Sequence, residues 1–167
     1  MAMPKVIKHF NLFVDGRGYA GRVDEVTEPK LSIKKEEFRG GGMDAPVDID
    51  MGMEKIELQF TLVEHDPAIY RQFGLVDGNA VRVSLRQALA DDAGVTPKVI
   101  TAQGMMTEID GGGSKSGDKG SLKVSIACRY YKLQVAGQTV VEIDVENMKR
   151  IINGTDQLAA HRAALGM

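Results

Sequence analysis

The sequence has no tryptophan, only five prolines and a single cysteine, Cys128, among its 167 residues. One cysteine excludes an intramolecular disulfide. No apolar run approaches the roughly 20 residues that a membrane-spanning helix needs, so helical membrane insertion is excluded. The opening Met1-Ala2-Met3-Pro4-Lys5 lacks the apolar stretch of a secretory signal, which predicts synthesis and folding in the cytosol. Neither sign of charge prevails: 21 basic against 23 acidic residues give a formal net charge of −2. That removes the global basic footprint expected of a protein built to coat nucleic acid or an anionic membrane.

What is present points to β-structure. Hydrophobic residues make up 43% and glycines number 19, and much of the chain alternates apolar with polar residues, the period of a strand with one buried face. The length suits one domain with a proper core, residues 1–167.

The plainest pattern is near the C-terminus. Ser121 to Val135 and Thr139 to Val145 are β-branched-rich runs joined by Ala136-Gly137-Gln138, which predicts a β-hairpin. In its second arm Val141, Ile143 and Val145 alternate with Glu142, Asp144 and Glu146, giving an apolar face and an acidic one. Upstream, Phe10 to Val14 reads as a strand closed by the turn residues Asp15-Gly16-Arg17-Gly18. Residues 22–38 alternate loosely around Pro29, which predicts an edge position or a bulge. Ile56, Leu58, Phe60 and Leu62 then mark one face of a strand from Met53 to Val63. Together they predict a long hairpin with a glycine-rich tip over 38–52.

Asp66-Pro67 followed by Gly74 predicts a short helix, with Asp at the N-cap and Pro at the first helical position. Strands follow at 80–89 and about 98–110. A flexible glycine-rich stretch, 111–120, leads into the C-terminal hairpin. The pattern loosens over 147–154, and Leu158, Ala159, Arg162 and Leu165 predict a C-terminal helix over 155–165.

No catalytic constellation emerges. Gly16, Gly18 and Gly21 spell G-x-G-x-x-G, but the residues after them run β-like to Pro29, so a turn outweighs a dinucleotide site. Gly113-Ser114-Lys115-Ser116 lacks the glycine that a phosphate loop places before its lysine. His9, His65 and His161 have no paired metal-ligand spacing, and Cys128 reads as a small buried hydrophobe in a strand. Asn153-Gly154-Thr155 is a glycosylation sequon by spelling only. No enzyme activity, metal or cofactor is expected. The alternative from another class, a small β-barrel ligand-binding protein or enzyme, requires a pocket with convergent polar groups that the sequence does not display.

Four blocks in order carry a family likeness: Phe10 to Gly16, Gly40 to Val47 followed by Gly52 to Ile56, Ala127 to Leu133, and Glu142 to Val145 with the helix from Leu158 to Leu165. Over nearly the whole chain this arrangement resembles the major tail tube proteins of contractile-tailed bacteriophages, and most closely those of the headless R-type pyocins. The resemblance implies a mainly β fold, a β-sandwich or half-barrel with a flanking short helix and a C-terminal helix. It further implies sixfold rings with a continuous inner β-barrel, stacked into a hollow tube that is driven through a bacterial envelope and conducts ions or DNA. The implied partners are further copies of the chain, a sheath protein, baseplate or initiator proteins, and a tape-measure protein or DNA in the lumen. The implied location is the bacterial cytoplasm during assembly and then the virion or pyocin particle released on lysis.

Within that frame Gly40, Gly41, Gly42, Met43, Asp44, Ala45, Pro46 and Val47 are expected to contact the adjacent ring, because the tip is flexible and too apolar to be left in water. Lys55, Glu57, Gln59, Lys123, Ser125 and Arg129 are candidate lumen-facing residues. Glu142, Asp144 and Glu146 are candidates for the face under the sheath.

Overall fold

The structure is a computed structural model that describes residues 1–76 and 78–167. Among the described residues, twelve strands and two short helices form. In order they are β1 (Val6–Val14), β2 (Arg17–Gly18), β3 (Val23–Thr27), β4 (Ile33–Phe38), β5 (Val47–Met53), β6 (Ile56–Leu62), α1 (Pro67–Tyr70), β7 (Val81–Asp91), β8 (Gly94–Asp110), β9 (Leu122–Val135), β10 (Gln138–Asp144), β11 (Lys149–Ile152), β12 (Thr155–Asp156) and α2 (Ala159–Leu165). One sheet runs β12-β11-β10-β9-β8-β7-β1-β2, with β6 joined to β9 and β3 to β6.

Strand β9 is the spine. One edge pairs with β8 along its length, while its other edge pairs with β6 over Leu122 to Cys128 and with β10 over Tyr130 to Val135. Arg129 is the extra residue at the switch, where the β8 register jumps between Gln103↔Tyr130 and Gly104↔Cys128. A bulge bends and twists its strand, so the sheet curls round a single core. Leu12 and Val14 of β1, Leu58 and Phe60 of β6, Leu85 of β7, Ile100 of β8, Ile126 of β9 and Ile69 of α1 are all at most 1% exposed and form one cluster. Each such side chain contributes about 1.5–3 kcal/mol by leaving water. One curved sheet around one core is the half-barrel arrangement.

Local chemistry explains the turns. Ala136-Gly137, with φ of 52° and 79°, is a two-residue link in which both residues are left-handed; Gln138 already pairs with Val135. The expected three-residue link is therefore one shorter. Asn153-Gly154 has the same signature, φ 50° and 80°, and joins β11 to β12. Asn-Gly favours this turn because its right-handed twist matches that of the strands. As a result Thr155 and Asp156 are strand residues, and the C-terminal helix begins at Ala159 rather than at 155.

The long hairpin is split. Its inner half is β3 on β6, and its outer half is β4 on β5, a separate two-stranded sheet. Pro29 lies buried in the break between β3 and β4, where the missing N–H costs no ladder bond. The expected tip, 38–52, shrinks accordingly to 39–46, since residues from Val47 onward continue as strand β5.

Helix α1 starts as the sequence predicts: Asp66 accepts from the Ala68 N–H at 2.9 Å. The same carboxylate accepts the buried Tyr19 hydroxyl at 3.0 Å, with the guanidinium groups of Arg17 and Arg22 at 3.8 and 4.0 Å. The Ala68 N–H, with the Tyr19 bond and the two arginines, holds the Asp66 carboxyl below its usual range against the effect of burial. Burial, reinforced by the bond to Asp66, pushes the Tyr19 phenol up to about 12.

Candidate assembly surfaces

Three surfaces stand out, each following from how the strands alternate. The first is a polar wall of four strands. Glu25 of β3, Thr61 of β6, Lys123 of β9 and Asp110 of β8 form one cross-strand row. Thr27, Gln59, Ser125 and Glu108 form the next, and Glu57, Ala127 and Met105 the third. Their neighbours in sequence, such as Phe60, Val124, Ile126 and Met106, point into the core, as period-two alternation requires.

Five of the six candidate lumen residues lie together on or beside this wall. Lys55 sits at its end, its Nζ 3.0 Å from Glu57 Oε2, and Gln59 Nε2 donates to Glu57 Oε1 at 2.9 Å. These two bonds, Gln59 first, hold the Glu57 carboxyl below its ordinary range. Ser125 is on the wall but only 4% exposed, because the longer Gln59 and Glu108 flank it on the two neighbouring strands. It is a floor position rather than a lining one. Arg129 is the bulge residue and joins the other set through an ion pair, its Nη1 2.9 Å from Glu146 Oε1.

The acids of the second set are engaged individually and do not form a bare charged face. Glu142 accepts the Tyr130 hydroxyl at 2.8 Å, and burial together with this bond pushes that phenol up to about 12. Asp144 closes the turn after β10, accepting from the Asn147 N–H at 3.1 Å and from its side-chain amide at 2.6 Å. Val145, expected to face the core, is 58% exposed beyond the strand end. Arg129 and Glu146 were expected on opposite faces, and their ion pair puts them on the same one.

The second surface is the arm formed by β4 and β5. All six residues of β4 are exposed, and Phe38, Val47, Ile49 and Met51 present large apolar side chains at 44–52% exposure. A lone two-stranded hairpin is marginal in water. The tip is nevertheless ordered: Met43 N–H donates to Gly40 O at 3.2 Å and Arg39 Nε to Met43 O at 3.2 Å. Gly42 has φ +87°, a conformation that favours glycine. Arg150 Nη1, 2.9 Å from Asp50 Oδ2, ties the arm to the C-terminal strands.

The third feature is a set of open strand edges. Among the described residues β3 pairs only with β6, leaving its other edge free. The β7 partner of β8 ends at Gly104, so beyond the Phe73↔Met106 bridge the stretch to Asp110 is paired on one side only. β2 covers β1 at Phe13 and Val14 and the Tyr19 N–H donates to the Leu12 carbonyl at 2.9 Å, leaving the outer edge from Val6 to Asn11 without a strand partner among the described residues.

A groove of about 840 Å³ lies between the base of the arm and the C-terminal strands, with Met53, Ile56, Ile143, Val145, Met148 and Leu158 among its walls. Cys128 also borders it. Burial pushes this thiol up to about 11, so it stays protonated and is no nucleophile at neutral pH. His65 stands alone with Tyr70, its Nδ1 3.0 Å from the hydroxyl. Gly16 and Gly21 lie in turns with φ of 79° and 76°, and β2 rather than a helix follows Gly16, so no pyrophosphate cradle is built.

The family model described as phage tail tube protein FII matches residues 4–166. The tail tube protein of Escherichia phage P2 is 36% identical over a 172-residue alignment that covers all of both chains. The major tail tube protein of Serratia phage KSP20 is 34% identical, over 88% of this chain and 86% of that one. In fold, the chain matches a component of the sheath–tube complex of an extracellular contractile injection system, with TM-score 0.60 at 11% identity over 78% of this chain and 91% of the other. A component of the sheath/tube terminator of such a system gives 0.61 at 12% identity, over 79% and 97%. The chain therefore belongs to the phage tail tube protein FII family, a family of structural proteins and not of enzymes.

Proposed function

We propose that the chain is the repeating subunit of a hollow tube, six copies closing each ring by strand pairing between β3 of one copy and the free end of β8 in the next. The observation that carries this is the four-stranded polar wall β3-β6-β9-β8, open at both edges. Its strands alternate in direction, so β3 and β8 run oppositely and every junction between rotated copies is again antiparallel. Both edges also have the same in–out pattern: Val26 and Ile109 face the core side, while Glu25, Glu108 and Asp110 face the wall. Ring closure removes edges that otherwise invite aggregation. At about 4.8 Å per strand, roughly 24 strands give a wall about 115 Å round and about 37 Å across between backbones, before tilt widens it. Such a channel passes ions, extended polypeptide or a nucleic acid duplex.

In this arrangement Lys55, Glu57, Gln59 and Lys123 line the lumen with Glu25, Glu108 and Asp110, while Glu142, Asp144, Glu146 and Arg129 face the sheath. The arm, with Gly40 to Val47 at its tip, reaches the adjacent ring, and residues 1–167 act as one tube domain. Sheath and baseplate proteins are the outer and terminal partners, a tape-measure protein or DNA the lumen's occupants. Subunits gather in the bacterial cytoplasm and leave in the finished particle on lysis. The named relatives are phage tail proteins, which supports a phage tail over an R-type pyocin; purified particles bearing heads and DNA would establish the former, headless tails the latter.

Rotationally averaged electron micrographs of the purified chain test the ring directly. Sixfold rings with a central channel are expected. A species that stays monomeric at every attainable concentration, with preformed baseplate supplied as initiator, overturns the reading.

A further inference from the structure

Resting on the ring-and-stack reading, we infer that the arm's receptor on the adjacent ring is the free outer edge of β1, so that β4 of one copy adds as a strand to β1 of another. Four observations meet here. Among the described residues both edges are open: β1 lacks a strand partner from Val6 to Asn11 on its outer side, and β4 pairs only with β5. Both strands are exposed at the contact, β4 along all six residues and β1 from Val6 to Phe10.

Both also carry stranded apolar side chains. On the arm these are Phe38, Val47, Ile49 and Met51; on β1 they are Val6, Ile7 and Phe10, at 50%, 51% and 39% exposure. Joining the edges would pair backbone groups that water now solvates and bury apolar area on both partners, the logic of β-strand addition.

The charges are complementary. Residues 1–14 contain Lys5, Lys8 and His9 and no acid. The arm carries Glu36, Glu37, Asp44, Asp48 and Asp50 against Lys34, Lys35 and Arg39. Asp48 is already paired with Lys35 and Asp50 with Arg150, whereas Glu36 and Glu37 of β4 make no ion pair among the described residues. Two of the arm's unpaired acids, Glu36 and Glu37, are thus on β4 beside the unpaired Lys34, and the third, Asp44, is at the tip, while the unpaired positive charge of the sheet edge is on β1. The contact is heterologous, joining two different patches of the same chain, which propagates along an axis instead of closing a dimer. The Arg150–Asp50 contact holds the arm from its other face, leaving β4 presented outward.

Lysines on an open edge also serve simply to repel unwanted strands, and charge exchange separates the two roles. The variant K5E/K8E reverses the receptor and E36K/E37K reverses the arm; all four positions are exposed, and circular dichroism verifies that each variant folds. Like charge across an interface is strongly unfavourable, so each variant alone is expected to form rings but to need about tenfold or more protein to stack them. The quadruple variant is expected to regain tubes. Tubes of wild-type length from both double variants, failure of the quadruple variant to regain them, or loss of the rings themselves in the double variants would overturn the inference. A wild-type chain without rings would remove the ring reading beneath it, whereas wild-type tubes with unaffected variants would remove this inference alone.

Discussion

Gly104 is the position at which the curled sheet depends on the absence of a single carbon atom. A Cβ there would stand 1.9 Å from the Ala127 carbonyl oxygen, 2.7 Å from its carbon and 2.7 Å from Cys128 Cα, all backbone atoms of β9. No side chain can swing aside to relieve this, so β8 itself must retreat from β9 where the register already shifts. Gly→Ala at an unstrained site stabilises by about 0.4–1 kcal/mol through the unfolded chain. Overpacking that forces a backbone shift costs about 1–3 kcal/mol or more. The second effect wins, and G104A should be less stable by about 1–3 kcal/mol. For a domain of this size that lowers Tm by roughly 3–9 °C, measurable by calorimetry or far-ultraviolet circular dichroism on the unassembled subunit. The control is G113A, where a Cβ meets nothing within 4 Å and stability should hold or rise slightly. A Tm for G104A equal to or above wild type would refute the argument that close strand approach at the bulge shapes the wall.

Asp66→Ala removes a helix cap and strands the buried Tyr19 hydroxyl, so urea titration should show a loss of about 1–3 kcal/mol, with D66N retaining part of it. Because the folded-state pKa of Asp66 is depressed, its contribution is complete above the unfolded carboxylate value of about 3.9 and is lost as pH falls through the lower folded value. D66N should therefore flatten the acid limb of the stability–pH curve, and an unchanged limb would contradict the network. Deleting residues 41–45 shortens the arm without touching the core, so calorimetry should find folded subunits and microscopy should find rings that do not stack. Charge reversal at Glu142 and Asp144 should weaken sheath binding in a co-sedimentation assay while channel conductance is unchanged; the opposite pattern would place those acids on the lumen.

Much of the fold was legible because the chain alternates so regularly. Ile56 to Leu62 and Val81 to Leu85 are buried at every second residue, and Asp66-Pro67 caps its helix as the spacing predicts. The hairpin of β11 and β12 was hidden although Asn153-Gly154 is a strong turn signal, because the flanking runs are only four and two residues long. The outer half of the long hairpin was hidden because β4 and β5 bury almost nothing, and a strand without a buried face leaves a weak alternation. The pairing of Arg129 with Glu146 was hidden for a different reason. Counting by twos from Lys123 assumes an unbroken ladder, and the bulge opposite Gly104 shifts every later side chain by one. Apart from the edge position or bulge that Pro29 signalled, edges were invisible, since pairing is a property of neighbours far apart in sequence.

The central claim is that the wall β3-β6-β9-β8 closes on itself through neighbouring copies, and a cryo-electron microscopy map of the assembled tube at side-chain resolution tests it most directly. The account predicts β3 of each subunit hydrogen-bonded antiparallel to the Glu108–Asp110 end of β8 in the next, four strands per copy around the channel, and Glu57, Gln59 and Lys123 facing the lumen. A map in which β3 keeps a solvent-exposed edge, or in which the face bearing Glu142 lines the channel, would contradict it.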